Sequence, residues 1–201
     1  MNLFDKMRKK LKINKNGILF LLGIAAIGFI SGVIFITIIS KSDQTLVKEY
    51  INDYFNNINK INYLDVFKNT FLESLSFIII VWLLGMSVIG IPINVFYYFI
   101  KSFIIGFSIS SFILTYKIKG CLYAFLYIVP HNIINLIIYT ILIYFTINFS
   151  LTLIYAIFKK KNINFKIIMN KYVNILFLSL GLILITSIYE TFVVPNLIKL
   201  F

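Results

Sequence analysis

From Cys121 to Phe158 the chain carries no formal charge unless His131 is protonated. At 1.5 Å per residue a straight helix over that stretch would be roughly 60 Å long, about twice the hydrocarbon core of a bilayer. Such a run excludes an ordinary soluble domain and is too long for one crossing. It is therefore expected to break, and Pro130-His131-Asn132 marks the place, because proline removes a helix hydrogen bond and the two polar residues can satisfy freed backbone groups. Residues 121–130 are read as a re-entrant half-helix and 133–158 as a full span.

The rest of the sequence has the same character. Of 201 residues, 60% are hydrophobic and only 13% charged, against about half and a quarter in soluble domains. Residues 17–39 form a first uncharged span. They follow a basic segment, 1–16, in which Leu3, Phe4, Met7 and Leu11 are spaced for a short helix on the inner leaflet. No small-x-small cleavage site precedes Lys41, so this run reads as a retained helix and not a signal peptide. A second span covers 74–91 and ends at Gly90-Ile91-Pro92. A third covers 94–116, with Lys101 near its start, where its long stem can reach the headgroups. A last span covers 173–195. The expected fold is an all-α polytopic membrane bundle of about five transmembrane helices, with a broken fourth region and an amphipathic extracytoplasmic helix.

That amphipathic helix lies in the one sizeable polar region, 40–73. Val47, Tyr50, Ile51, Tyr54, Phe55, Ile58 and Ile61 recur at helical spacing, while Lys48, Glu49, Asn52 and Asp53 take the other side. Such a helix can rest on the outer leaflet or present a surface to a partner on the extracytoplasmic side; its polar face is mixed in sign, unlike a basic binder of anionic lipid, which favours contact with protein. Tyr50, Ile51, Tyr54, Phe55 and Ile58 are the candidate docking residues.

Lysine placement chooses between five crossings and six. With the N-terminus cytoplasmic and five crossings, the inside holds twelve Lys/Arg and the outside seven, whereas six crossings give eight inside and eleven outside. The positive-inside rule selects five. The formal charge of +12 thus reads as topology and not as a nucleic-acid footprint, since no nucleic-acid-binding motif accompanies it.

Catalysis needs clustered nucleophiles, bases or ligand sets, and the sequence offers none. Cys121 is the only cysteine and His131 the only histidine, while Glu73 and Glu190 are expected at solvated helix ends. The chain reads as a non-enzyme with no catalytic residue, metal or cofactor. Gly28-x-x-x-Gly32 permits close helix approach, as do Gly85, Gly90 and Gly106 with their neighbouring serines. Membrane lipids are expected partners, and a second copy of the chain fits such glycine faces.

Several segments resemble the stage II sporulation protein M family. They are Val66-Phe-Lys-Asn-Thr-Phe71, Trp82-Leu-Leu-Gly85 with Val88-Ile-Gly90-Ile-Pro92, and Phe99-Ile-Lys101-Ser-Phe103-Ile-Ile-Gly106-Phe107. Pro130-His131-Asn132 is similar to the family's Pro-Gln-Asn motif, with His for Gln, and Ser102 stands where the family usually has glycine. The resemblance implies a non-enzymatic scaffold in the septal or mother-cell membrane of an endospore-forming bacterium. Such a scaffold holds the peptidoglycan-degrading stage II sporulation proteins D and P during engulfment. The alternative is a transporter or permease-like subunit, motivated by the broken fourth region, with Asn94, His131, Asn132 and Asn135 as the few residues able to coordinate a solute.

Overall fold

The computed structural model describes residues 14–57, 62–158 and 164–198, apart from the side chains of Phe55, Leu197 and Ile198. The basic segment up to residue 13, Ile58 and the triple lysine 159–161 lie outside the described residues. Among those described the structure is helical, and five helices are long and apolar enough to cross a membrane. The chain is a multi-pass membrane protein.

The first crossing, α1 (Lys15–Ile38), is opened by Asn14, whose side chain accepts from the Asn16 amide. A polar helix follows, α2 (Lys41–Asn56). The second crossing, α3, runs Tyr63–Leu84 and not 74–91. Its earlier start has a local cause: the Asn62 side chain caps the Leu64 amide and Asp65 lies in the first turn, where a carboxylate favours the positive end of the helix dipole. Pro92 likewise opens a helix instead of closing one. It stands in the first turn of α4 (Gly90–Tyr116), where its missing N–H has no intrahelical acceptor to lose.

The expected break near Pro130 takes an unexpected form. After a turn at Lys117, whose φ is 53°, the chain runs through α5 (Ile118–Tyr123), a π-helical segment (Ala124–Ile128) and α6 (Val129–Phe158) without reversing. Residues 121–130 are thus no re-entrant half-helix. The π turn, in which the Val129 amide reaches back to the Ala124 carbonyl, shifts the hydrogen-bond register just ahead of the proline. The Asn132 side chain then donates to the Ile128 carbonyl at 2.9 Å. Part of the excess length protrudes: from Ser150, bonded to Gly85 in the α3–α4 turn, α6 continues for about 12 Å beyond that turn. The last crossing, α7 (Phe165–Phe192), also starts earlier than 173, because Asn164 caps it. A short helix, α8 (Val194–Ile198), carries Pro195 in its first turn.

Helix α6 sits at the centre, touching α1, α3, α4 and α7. Its Ile138, Tyr139, Leu142 and Ile143 meet Phe77, Ile78 and Val81 of α3, Tyr98 of α4 and Ile183 of α7 in one buried core. The most extensive pairing is that of α1 with α4. These helices run parallel and nearly touch backbone to backbone. A Cβ on Gly28 would fall 2.7 Å from the Phe99 carbonyl oxygen, one on Gly32 2.1 Å from that of Phe103, and one on Gly106 2.1 Å from that of Phe29. Phe35 closes the seam against Phe103 and Phe107. Lipid supplies no hydrophobic force between helices, so this close van der Waals fit is what joins α1 to the bundle.

Gly32→Ile should therefore lower the stability of the detergent-solubilised protein by about 1–3 kcal/mol through overpacking. Gly23→Ile is the control, since nothing lies within 4 Å of the Cβ position there. Thermal unfolding of the two variants side by side checks this, and equal melting temperatures would contradict the tight seam.

Candidate functional site: a polar cleft between α3 and α4

The antiparallel neighbours α3 and α4 share less contact with each other than α3 shares with α7. They separate away from their Gly85–Gly90 turn, where a Cβ at Gly90 would collide with the Leu84 carbonyl and one at Gly85 with the Tyr172 hydroxyl. The gap so formed is a cavity of about 180 Å³. Its walls are Thr70, Glu73 and Ser74 on α3 and Lys101 and Ser108 on α4. Its floor is His131, Asn132, Asn135 and Tyr139 of α6, with Glu190 of α7.

One ion pair bridges the walls. The Lys101 ammonium donates to Glu73 Oε1 at 2.6 Å and stands 5.5 Å from the centre of the Phe77 ring. Glu73 lies about 15 Å along the roughly 33 Å of α3, and Lys101 about 17 Å along the roughly 40 Å of α4, so the pair is near mid-depth in both helices. This corrects two expectations. Lys101 does not reach for headgroups, because a carboxylate lies within its span, and Glu73 is not at a solvated end, because α3 begins well before it.

Further polar contacts line the floor. His131 Nε2 is 3.7 Å from Glu190 Oε1 and 2.8 Å from the Asn132 amide nitrogen. The neutral imidazole is the form able to accept from that amide. Glu190 lies in the last turn of α7, near the helix end as expected, but its side chain is only 28% exposed, held against the bundle. Thr186 donates to Asn135 Oδ1 at 2.7 Å, Tyr139 to Ser74 at 3.4 Å, and the Tyr98 and Thr140 hydroxyls meet at 2.5 Å. The polar track runs from Glu190 down to Tyr98 and stops. Below it Ile78 and Val81 of α3, Leu142 and Ile143 of α6 and Ile183 of α7 are each fully buried.

Helix α2 lies over the Glu190 end of the cleft. Ile51 is buried, and Tyr116 donates to Asn52 at 2.8 Å. Burial raises the pKa of the Tyr54 hydroxyl above its ordinary value, with the Glu190 charge adding to the effect. Leu46 and Tyr50 are 61% and 77% exposed, whereas Tyr54 is half-buried. The single apolar face read from the sequence is thus divided: Ile51 faces the bundle and the Tyr54 hydroxyl lies toward Glu190, while Leu46 and Tyr50, four residues apart, face away from it.

Of the residues singled out in the sequence, Pro130, His131 and Asn132 belong to or adjoin the cleft. Gly28, Gly32 and Gly106 form the α1–α4 seam. Gly85 and Gly90 shape the far turn, and Asn94 is fully buried beside them, bonded to the Val81 carbonyl at 3.1 Å. The sequence reading did not group Glu73, Lys101 and Glu190. Helical spacing carries the missing signal, for Thr70, Glu73 and Ser74, Lys101 and Ser108, His131, Asn135 and Tyr139, and Thr186 and Glu190 each fall on one face of an otherwise apolar helix. Among the described residues, no three His, Cys, Asp or Glu side chains gather as a metal-ligand set.

Removing one partner of the mid-depth pair leaves a charge uncompensated. Lys101→Met should destabilise the protein, and Glu73→Gln added to it should restore much of the loss, with a coupling of about 1–3 kcal/mol. A double-mutant cycle on thermal unfolding in detergent measures this, and additive effects would mean that the two groups act independently.

Five apolar crossings about a central helix, with a cluster of ionisable side chains set among them, define a polytopic helical membrane protein. Residues 17–195 match the family model for stage II sporulation protein M. The match spans most of the chain, which therefore belongs to that family, a family of membrane proteins involved in sporulation. No curated protein and no solved structure matches it.

Proposed function

We propose that this protein is a non-enzymatic membrane scaffold that holds peptidoglycan-degrading partners during engulfment. By family resemblance the partners are stage II sporulation proteins D and P. The observation that carries the reading is the outward stripe of α2. Leu46 and Tyr50 present apolar surface on a helix held through Ile51 and the Tyr116–Asn52 bond, and exposed apolar side chains at i and i+4 suit docking of a partner helix. With the lysine distribution placing the N-terminus in the cytoplasm, α2 lies on the extracytoplasmic side, where cell-wall enzymes act.

The transport reading gains polar groups from the cleft but lacks a path. The polar track of the cleft ends at Tyr98, and the side chains of Ile78, Val81, Leu142, Ile143 and Ile183 beneath it are apolar.

Leu46→Glu with Tyr50→Glu should reduce recovery of the two partners from sporulating cells at least several-fold, while membrane insertion stays normal. Quantitative co-purification measures it, and unchanged recovery together with unchanged engulfment would remove α2 from the docking role. Reporters fused to each terminus check the orientation. The N-terminal fusion should report cytoplasm and the C-terminal fusion the opposite compartment, and a cytoplasmic C-terminus would refute the topology.

A further inference from the structure

Two carboxylates, Glu73 and Glu190, face the cleft, and one ammonium, Lys101, answers them, with His131 placed as an acceptor. The Glu190 carboxyl has no ammonium or guanidinium of the described residues bonded to it. The mouth of the cleft is lateral: the Glu73 side chain is 70% exposed on the outside of the bundle, near the middle of α3. At that depth the surroundings are hydrocarbon, in which a carboxylate needs a compensating group.

We propose that the cleft receives a transmembrane helix of a partner protein, which lies across the α3–α4 mouth and inserts one basic side chain, lysine or arginine, between Glu73 and Glu190. The size agrees. About 180 Å³ is the volume of roughly six waters, room for a guanidinium or ammonium on its stem but not for a helix. The mouth agrees as well, because Thr70, Ser74 and Ser108 on the walls are small hydroxyl residues that let a helix approach closely, and Ile104 beside them is an exposed apolar shoulder. A second copy of this chain is a poor occupant. The basic residue its own described spans carry at this depth is Lys101, already bound to Glu73.

The proposal deepens the docking reading and rests on it, yet its test uses none of the natural partners, so the two can fail separately. The full-length protein, labelled with a fluorescent donor on Cys121, its only cysteine, is reconstituted in phosphatidylcholine vesicles. It is titrated with acceptor-labelled polyleucine transmembrane peptides that carry Arg, Leu or Glu at the centre. Energy transfer to the Arg peptide should reach half-maximum at a peptide-to-lipid ratio about tenfold lower than for the Leu peptide, and the Glu peptide should transfer least. E73Q together with E190Q should abolish the preference for Arg. Equal transfer to the Arg and Leu peptides on the unaltered protein would overturn the proposal, whatever the variant's stability. So would transfer between donor- and acceptor-labelled copies of the protein that the Arg peptide fails to displace.

Discussion

Lys101 is a strongly hydrated point charge in the middle of an apolar helix, and much of the architecture follows from how it is accommodated. An ammonium at mid-depth needs an anion nearby, and Glu73 supplies one across a gap that α3 and α4 do not otherwise close. The bond spans a distance that direct packing of α3 on α4 does not close there, although Phe77 stacks on Tyr97 close by. That distance leaves a cavity, which the polar side chains of α6 and α7 then line. Replacing the pair with leucines would leave α3 and α4 free to collapse together, and His131, Asn135 and Tyr139 would lose the space they face.

Different forces hold different parts of the bundle. The α1–α4 seam depends on shape, with three glycines bringing the two backbones within van der Waals reach. The junction of α3, α6 and α7 depends on hydrogen bonds and stacked rings. Trp82 and Tyr172 exchange hydrogen bonds with each other's carbonyls, Phe149 stacks on Tyr172 at 4.0 Å, and Ser150 holds the Gly85 carbonyl. Both devices suit a solvent that gives helices no reason to associate merely because they are apolar. The cleft lies between these two well-joined halves.

The membrane character and the five helices were legible in the sequence because charge-free length is a one-dimensional property. Helix starts were harder to place: Asn62 and Asn164 act through capping geometry, and both set the start of a crossing earlier than hydropathy alone places it. Pro130 invited a chain break, but a π turn absorbs a missing donor with less disturbance, and nothing in the residue pattern of 121–130 separates the two outcomes. The cleft was only half legible. His131 and Asn132 stand out in an apolar run, but the joining of Lys101 to Glu73, and of His131 to Glu190, depends on which helix faces touch, and that information belongs to the tertiary fold. The division of α2 into an inward Ile51 and an outward Leu46 and Tyr50 is of the same kind, since the sequence shows one apolar face and packing decides which edge of it is used.

The apolar layer formed by Ile78, Val81, Leu142, Ile143 and Ile183 also bears on the electrical state of the membrane. A bundle with ionisable groups near mid-depth is a possible leak, and each elementary charge moved through a potential of 100 mV changes energy by about 2.3 kcal/mol. The apolar side chains beneath the cleft raise the cost of carrying an ion onward from it. A cell can then place many copies of such a protein in one patch of membrane without short-circuiting the potential on which that membrane runs.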